Sequence, residues 1–408
     1  MPASSPHKSL FGAAKAIPPD SIFEVTKRYL ADDSPEKINL GQGTYRDENG
    51  QPWVLPSVKL AKEALGETGH EYLPIAGLKE LRDETVRLVF EKTSAYKEQR
   101  IASCQAISGT GSLLLVGLTI RRVSPATMIV YITDPTWSNH ELLFASQGYE
   151  VRKLPYTKAD GSFDFDTYIS AIRAADPFSA VILHACAHNP TGYDPSHEQW
   201  KMIATAMIER SLFPVFDSAY LGFKSGSVDD DAWAIRYFVD DLGLEAAVCF
   251  SFAKNMGLYG ERVGLVAFVT SSPELARTAG SILENVQRST VSNPPAYGAR
   301  IAAKVLGTEE IRAQWARDLI TMSGRVRSMR ENLYEELVRL KTPGDWSHVV
   351  QQGGMFGFLG IKRAQVQFLE DQRHVYMAET SRISIAGLNE GNVKRFAQAL
   401  DEAVRTIA

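Results

Sequence analysis

Short apolar segments alternate with amphipathic stretches through the middle of the chain. Six of these segments are mostly apolar, namely residues 102–107, 128–133, 180–185, 213–216, 247–252 and 263–269. Apolar strands separated by helical stretches are typical of a mostly parallel sheet covered by helices on both faces. We therefore predict an α/β fold, with helices that open at Gly111 and span residues 198–207. Ligands of such folds bind at the carboxyl ends of the strands.

The pattern becomes helical after Pro273 and then mixed. It predicts a helix over residues 309–340, short strands near 355–360, 375–378 and 382–385, and a final helix from about Gly391. We expect the segment before about Asp47 to pack with this C-terminal part. The two chain ends would then build a small α/β domain, residues 13–47 and 321–408, beside a large domain of residues 48–320.

Composition argues against several classes of protein. The 408 residues, 44% apolar and 23% charged, suit two globular domains. A net charge of −4 without a long basic run argues against nucleic-acid binding, and no apolar stretch is long enough for a membrane span. The three cysteines (Cys104, Cys186 and Cys249) indicate core positions, not disulfides or metal ligands. Without a recognisable targeting segment, a cytoplasmic location is expected by default.

Lys254 is the first candidate for chemistry. It follows the apolar residues 246–250 within the segment 251–255 and precedes a glycine-rich turn. A lysine amine at the end of a buried strand can form a Schiff base with a carbonyl, which makes it a natural anchor for pyridoxal 5′-phosphate. Taken alone, the position is equally consistent with an exposed lysine.

The segment 108–112 could bind the phosphate of such a cofactor. It lies between a predicted strand and a predicted helix, and Ser108, Gly109 and Thr110 would bring backbone N–H groups to an anion. Arg262 could add a bidentate contact. A tight strand-to-helix turn or a dinucleotide-binding turn also fits this segment.

The ring of the cofactor would need a carboxylate and a stacking partner. Asp217 ends an apolar strand and could keep a pyridine nitrogen protonated; a turn cap is its alternative role. Tyr220 could hydrogen-bond the ring hydroxyl, as could Asn189 before Pro190. Trp137 could stack on the ring, although a core tryptophan fits as well.

Histidines and arginines complete the candidates. His140, His184 and His188 lack the spacing of metal ligands, so we predict no metal site. Substrate carboxylates are recognised best by arginine, and Arg382 and Arg288 each lie in a suitable context, although an exposed charge is the alternative for both.

Together these segments resemble the aspartate aminotransferases, which are fold-type I pyridoxal phosphate enzymes. The resemblance extends from about Ile38 to the final helix. It rests on residues 40–45, 53–56, 72–77, 108–111, 188–195, 198–200, 216–220 and 251–264. It implies a large domain with a mostly parallel seven-stranded sheet covered by helices and a smaller α/β domain built from both chain ends.

The resemblance also implies roles for individual residues. Lys254 looks like the Schiff-base lysine and proton shuttle, and Asp217, supported by His140, looks like the partner of the ring nitrogen. Tyr220 and Asn189 match residues that bond the ring oxygen. The catalytic set is Lys254, Asp217 and Tyr220, and Trp137 matches the stacking residue. The phosphate contacts match Ser108, Gly109, Thr110, Ser251 and Arg262.

Substrate and partner contacts follow in the same way. Arg382 matches the residue that binds the substrate α-carboxylate, and Arg288 matches the one that binds a distal carboxylate. Gly43, Gln42, Trp137 and Asn189 complete the implied substrate contacts. In the family, Arg288 and the phosphate-contacting Tyr72 come from the neighbouring subunit. A homodimer with shared sites is therefore implied, with residues 1–12 as an arm on the partner.

The chain departs from the family pattern at five positions. These are Gln42, where an aliphatic residue is usual, Met256, Gly260, Val291 and Ser381. None of the departures removes a catalytic group. Gln42 and Val291 could change the shape and polarity of the substrate pocket and so alter the preference for aspartate.

The main functional hypothesis is ping-pong transamination between L-aspartate and 2-oxoglutarate, which gives oxaloacetate and L-glutamate. One alternative is an enzyme with the same cofactor that acts differently on an aspartate-like substrate. It would either decarboxylate this substrate or make or break one of its carbon–carbon bonds. Two others are a non-catalytic amine sensor and a nicotinamide-dependent dehydrogenase. No segment has room for the added domain of a sensor, and a dehydrogenase leaves Lys254 unexplained.

Overall fold

A computed structural model describes residues 9–158 and 161–407. Eleven strands are present in these ranges: β1 (Ile38–Asn39), β2 (Ile101–Ile107), β3 (Ile129–Asp134), β4 (Glu150–Pro155), β5 (Ala180–His184), β6 (Phe213–Ser218), β7 (Ala246–Ser251), β8 (Val263–Val269), β9 (Phe356–Phe358), β10 (Val375–Tyr376) and β11 (Arg382–Ser384).

The central sheet has seven strands in the order β2-β8-β7-β6-β5-β3-β4. Only β8 runs antiparallel to its neighbours, so six strands share one direction. All residues of β5, β7 and β8 are buried, because helices cover both faces of the sheet. The predicted α/β class with a mostly parallel sheet is confirmed. The carboxyl ends of β2, β5, β6 and β7 lie along one edge, where the candidate residues begin.

Helices surround the sheet and form most of the second unit. They are α1 (Ser21–Ala31), α2 (Pro56–Leu65), α3 (Lys79–Phe90), α4 (Ser94–Lys97), α5 (Ser108–Val123), α6 (Asn139–Ser146), α7 (Phe165–Ala174), α8 (His197–Glu209), α9 (Val228–Asp231), α10 (Trp233–Arg236), α11 (Phe252–Asn255), α12 (Pro273–Thr290), α13 (Tyr297–Gly307), α14 (Glu309–Leu340), α15 (His348–Gln351), α16 (Arg363–Arg373) and α17 (Val393–Thr406). None of the helices in the described ranges is long and apolar enough to cross a bilayer.

The two chain ends meet beside the large sheet. Strand β1 pairs in parallel with β10, and β11 pairs antiparallel with β9. The N–H of Ser384 donates to the carbonyl of Leu40 over 2.7 Å, which ties β11 to the segment after β1. The expected packing of the N-terminal segment on the C-terminal part is therefore present. The domain boundaries stay a prediction, and residues 1–8 of the predicted arm lie outside the described residues.

Two details of the sequence-based prediction are wrong. Helix α5 begins at Ser108, not at Gly111, because the chain turns directly from β2 through a positive φ of 56° at Ser108. Strand β4 was not predicted, since its pattern of charged and apolar residues places only Leu154 in a buried position. As an edge strand beside β3, it needs little apolar character.

Arg330 joins the long helix α14 to the segment that leads into β9. Its guanidinium is buried and donates to the carbonyls of Val349 (3.1 Å) and Gly354 (2.9 Å), and also to that of Phe356. Burial lowers the pKa of Arg330 to about 9. The segment that supports β9, and through it β11, is therefore held by one buried cation.

Replacing this cation should destabilise the protein. We expect Arg330→Met to lower the free energy of unfolding by about 2–5 kcal/mol, because it leaves buried carbonyls without donors. Chemical denaturation measures the change. Arg327→Met is the matched control, since Arg327 is exposed on the same helix. Equal losses for both variants would contradict this role for Arg330.

Candidate active site

Lys254 lies at the carboxyl edge of the sheet, in the one-turn helix α11 after β7. The Ser251 hydroxyl accepts the N–H of Ala253 and starts this turn. The Lys254 Nζ donates to the carbonyl of Gly43 over 2.9 Å and lies 5.1 Å from the centre of the Tyr259 ring. The amine is thus held between the sheet and the N-terminal segment, and not on an open surface.

The environment of Lys254 favours a neutral amine. Burial, followed by the charges of Arg262 and Arg382, lowers the pKa of Lys254 to about 8, although Asp217 opposes the change. A neutral amine is the form that attacks a carbonyl or accepts a proton. The site therefore supplies a base near neutral pH.

Asp217 is the next-to-last residue of the buried strand β6 and is paired with His140. The His140 Nε2 lies 3.0 Å from the Asp217 Oδ2, and the His140 Nδ1 lies 2.8 Å from the Thr136 hydroxyl. Burial alone would raise the pKa of Asp217. The hydrogen bond with His140 and the N–H of Ala219 outweigh burial, so the pKa lies below its usual value. A buried carboxylate is therefore kept charged.

Two more histidines lie behind Asp217. The ring centre of His184 is 5.2 Å from that of His140 and 4.2 Å from that of His188. Burial lowers the pKa of His184 to about 4, and neither of its ring nitrogens has a hydrogen-bond partner within residues 9–158 and 161–407. The ligand atoms of His140, His184 and Asp217 lie within 4.8 Å of one another. Sequence spacing did not predict this cluster, because its members come from α6, β5 and β6.

Tyr220 lies near this carboxylate, Trp137 contacts the His140 that pairs with it, and Asn189 follows His188 in the chain. Tyr220 and Asn189 are buried, and burial, followed by the charge of Asp217, raises the pKa of Tyr220. The Trp137 ring meets His140 edge-on, with ring centres 5.3 Å apart. These polar groups and one large ring fit a flat aromatic molecule that carries a basic ring nitrogen and a hydroxyl.

The segment predicted to bind a phosphate lies at the start of α5, a helix of 16 residues. The hydroxyls of Ser108 and Ser251 are 2.8 Å apart. A Cβ on Gly264 would lie 2.7 Å from the Ser108 backbone, so β8 approaches closely there. Gly109 and Thr110 follow in the first turn. N–H groups at a helix start suit a phosphate.

Arg262 lies at the same end of the site. It is half-buried and donates to the carbonyl of Tyr259 over 3.1 Å, and burial lowers the pKa of its guanidinium. A cavity of about 260 Å³ is lined by Arg262, Thr110, Val291 and neighbouring residues. An amine, a buried carboxylate, a helix start and an arginine together match the groups of pyridoxal phosphate.

Arg382 is a buried cation at the other end of the site. It starts β11, donates to the carbonyl of Gly41 over 2.7 Å, and lies 4.4 Å from the centre of the Phe356 ring. Its Nε is buried without a partner in the described part of the chain, and burial lowers the pKa of Arg382. A carboxylate would satisfy this unpaired donor.

Arg288 and Tyr72 are not brought into this group within one chain. Arg288 is exposed at the end of α12, where it contacts Ser292, and Tyr72 is 88% exposed. Sequence reasoning also missed several residues that shape the site, namely Gly41, Thr136, Tyr259 and Phe356. Gly41 and Tyr259 lie inside the segments that carried the resemblance, but only their contacts show what they do.

The chain is similar to known aminotransferases over nearly its full length. Residues 35–400 match the family model described as aminotransferase class I and II. The cytoplasmic aspartate aminotransferase of Schizosaccharomyces pombe is 45% identical, over 95% of this chain and 96% of that protein. The cytoplasmic aspartate aminotransferase of Gallus gallus is 41% identical, over 98% and 99% of the two chains.

Solved structures give the same result. The aspartate aminotransferase from Saccharomyces cerevisiae cytoplasm superposes with a TM-score of 0.94 at 43% identity, covering 98% of this chain and 99% of that one. An aromatic-amino-acid aminotransferase from Burkholderia pseudomallei, covalently bound to pyridoxal phosphate, also has a TM-score of 0.94, at 36% identity, covering 97% and 100%.

The lowered pKa of Lys254 predicts that its amine is acetylated at a lower pH than an ordinary lysine. In cofactor-free protein, acetylation of Lys254 should be half-maximal near pH 8, because the folded pKa is about 8 and not 10.5. Lys224 is the internal control: burial lowers its pKa, but the ion pair with Asp194 (2.5 Å) outweighs burial and raises it. Mass spectrometry of each peptide across pH measures both. If Lys254 is labelled only at the same higher pH as Lys224, the environment described for Lys254 is contradicted.

Proposed function

Because this chain belongs to the class I and II aminotransferases, we propose that it transfers an amino group between L-aspartate and 2-oxoglutarate, giving oxaloacetate and L-glutamate. The relatives at 41–45% identity are named cytoplasmic aspartate aminotransferases, which supports both this reaction and a cytoplasmic location. The observation that carries the proposal is the amine of Lys254, with a pKa of about 8, in a site that holds a buried carboxylate and a buried arginine.

Pyridoxal 5′-phosphate is the proposed cofactor. When bound, it supplies a protonated ring that accepts the electron pair left on the substrate Cα. Asp217 would hold the proton on the ring nitrogen, because His140 keeps this carboxylate charged. Tyr220 and Asn189 would bond the ring hydroxyl, and Trp137 would cover the ring. The phosphate would lie on α5 against Ser108, Gly109, Thr110, Ser251 and Arg262.

Lys254 would link the protein to the cofactor and then move the proton. With substrate bound, the neutral Nζ would act as the base that takes the proton from the substrate Cα, and its protonated form would return the proton within the site. Arg382 would bind the α-carboxylate and so hold the Cα–H bond in line with this base. The same residues run the second half-reaction in reverse, which gives ping-pong kinetics.

The distal carboxylate requires a second subunit in this proposal. Arg288 and Tyr72 are both exposed in the single chain. A homodimer in which each subunit lends these residues to its partner would bring Arg288 to the substrate and Tyr72 to the phosphate. The arm before residue 13 would lie on the partner.

Lys254→Ala tests the base directly. We expect the variant to retain bound cofactor and to lose turnover by on the order of 10²–10⁴-fold or more, because no other amine replaces Nζ. Visible absorbance reports cofactor loading, and a coupled assay of oxaloacetate reports turnover. Lys201→Ala, an exposed lysine on α8, is the control. Undiminished transamination in Lys254→Ala would overturn the mechanism. If the wild-type enzyme releases CO₂ from aspartate and forms no oxaloacetate, decarboxylation is favoured instead.

Arg288→Ala tests whether Arg288 binds the distal carboxylate of the substrate. We expect kcat/KM for aspartate to fall by about 10- to 100-fold, the cost of a lost hydrogen bond to a charged group, with a much smaller loss for phenylalanine. Arg277→Ala is the matched control, since Arg277 is exposed on the same helix. Equal losses for aspartate and phenylalanine would show that Arg288 does not bind the distal carboxylate.

A further inference from the structure

Gln42 lies between two glycines whose carbonyls bond the side chains of Arg382 and Lys254. The carbonyl of Gly41 accepts from the Arg382 Nη2 over 2.7 Å, and the carbonyl of Gly43 accepts from the Lys254 Nζ over 2.9 Å. In the proposed reaction, Arg382 acts at the α-carboxylate and Lys254 acts at Cα of one small substrate. Position 42 therefore lies on the wall of the substrate site.

The backbone of this wall is fixed. The Asn39 Oδ1 accepts from the N–H of Gly41 (3.1 Å) and of Gln42 (3.3 Å). A Cβ added to Gly43 would lie 2.9 Å from the Phe356 ring and 3.9 Å from the Lys254 Nζ, so the chain runs directly against the site. The side chain of Gln42 consequently starts from a defined point near the reacting groups.

Arg46 orients the Gln42 carboxamide. The Arg46 Nη2 donates to the Gln42 Oε1 over 3.3 Å, which leaves the Gln42 Nε2 as a free donor, without a partner among residues 9–158 and 161–407. The other end of the Arg46 guanidinium donates to the carbonyl of Gly50 over 3.4 Å. No carboxylate in the described ranges forms an ion pair with Arg46. The pair thus presents an amide donor beside a guanidinium that has no ion-pair partner within the described ranges.

The charge of Arg46 also reaches the Tyr259 phenol. Burial raises the pKa of Tyr259 to about 12, and Arg46 opposes this rise. The Tyr259 ring lies 5.1 Å from the Lys254 Nζ. The N–H of Tyr45, which precedes Arg46 in the chain, donates to the Tyr259 hydroxyl over 2.8 Å, which places the Gln42–Arg46 pair near this end of the site.

We propose that Gln42, oriented by Arg46, is a specificity-determining residue that donates its Nε2 hydrogens to the anionic side chain of a dicarboxylic substrate. This inference rests on the proposed function. A carboxylate has about four acceptor positions, which leaves room for both this amide and a partner arginine. An aromatic substrate offers this amide no acceptor, so it binds less favourably than a dicarboxylate.

Gln42→Leu and Gln42→Glu test the donor in the holoenzyme. Gln42→Leu keeps the approximate size and removes the donor, so we expect kcat/KM to fall about 10- to 100-fold for aspartate and to rise for phenylalanine. Gln42→Glu puts a like charge against the substrate, so its loss with aspartate should be larger. Equal fold-changes in kcat/KM for aspartate and phenylalanine, which leave the ratio of the two values unchanged, would overturn the proposal.

Arg46→Met separates orientation from direct contact. If Arg46 acts through Gln42, Arg46→Met should lower the ratio of kcat/KM for aspartate to kcat/KM for phenylalanine. Adding Gln42→Leu to this variant should then change the ratio little further. Additive effects of the two substitutions would overturn the positioning role of Arg46. Cofactor absorbance and thermal stability of each variant show whether the fold is retained.

Maleate binding distinguishes this inference from the proposed function. Affinity for this unreactive dicarboxylate, measured by calorimetry on the holoenzyme, does not depend on turnover. Weaker binding by Gln42→Leu supports the inference even if the wild type fails to transaminate aspartate, a result that would contradict only the proposed function. Equal maleate affinity in wild type and Gln42→Leu overturns the inference even if the wild type is fully active.

Discussion

Burial of the Lys254 amine is the constraint on which the site depends. An amine inside a folded protein is costly when charged, and the guanidiniums of Arg262 and Arg382 add to this cost, which is why its pKa falls to about 8. The carboxylate of Asp217 opposes this fall in the pKa of Lys254, and His140 keeps this carboxylate ionised despite its burial. The site therefore combines an amine that loses its proton more readily than an ordinary lysine with a carboxylate that stays ionised, and the neighbouring residues set both pKa values.

The fold supplies this environment from both ends of the chain. The carboxyl edge of the central sheet carries Lys254 and Asp217, whereas Arg382 arrives on β11 and its carbonyl partner on the segment after β1. Arg330 holds the segment that supports this second half. The N-terminal segment borders the site, because its carbonyls bond the side chains of Lys254 and Arg382.

The fold class and the family could be predicted from the sequence, and the detailed contacts could not. Apolar strands such as Val263–Val269 are read directly from their composition, and the predicted helix over residues 309–340 matches α14. Strand β4 escaped prediction because an edge strand has little apolar signal. The histidine cluster behind Asp217 and the Gln42–Arg46 bond depend on contacts that sequence spacing does not encode. The roles of individual site residues stay predictions.

The most direct test of the account is to find which lysine carries the cofactor. The holoenzyme is reduced with borohydride and digested, and the peptides are analysed by mass spectrometry. The account predicts a cofactor-derived mass on the peptide that contains Lys254, in stoichiometric yield. A modification on another lysine, or no modification of the Lys254 peptide, would contradict it.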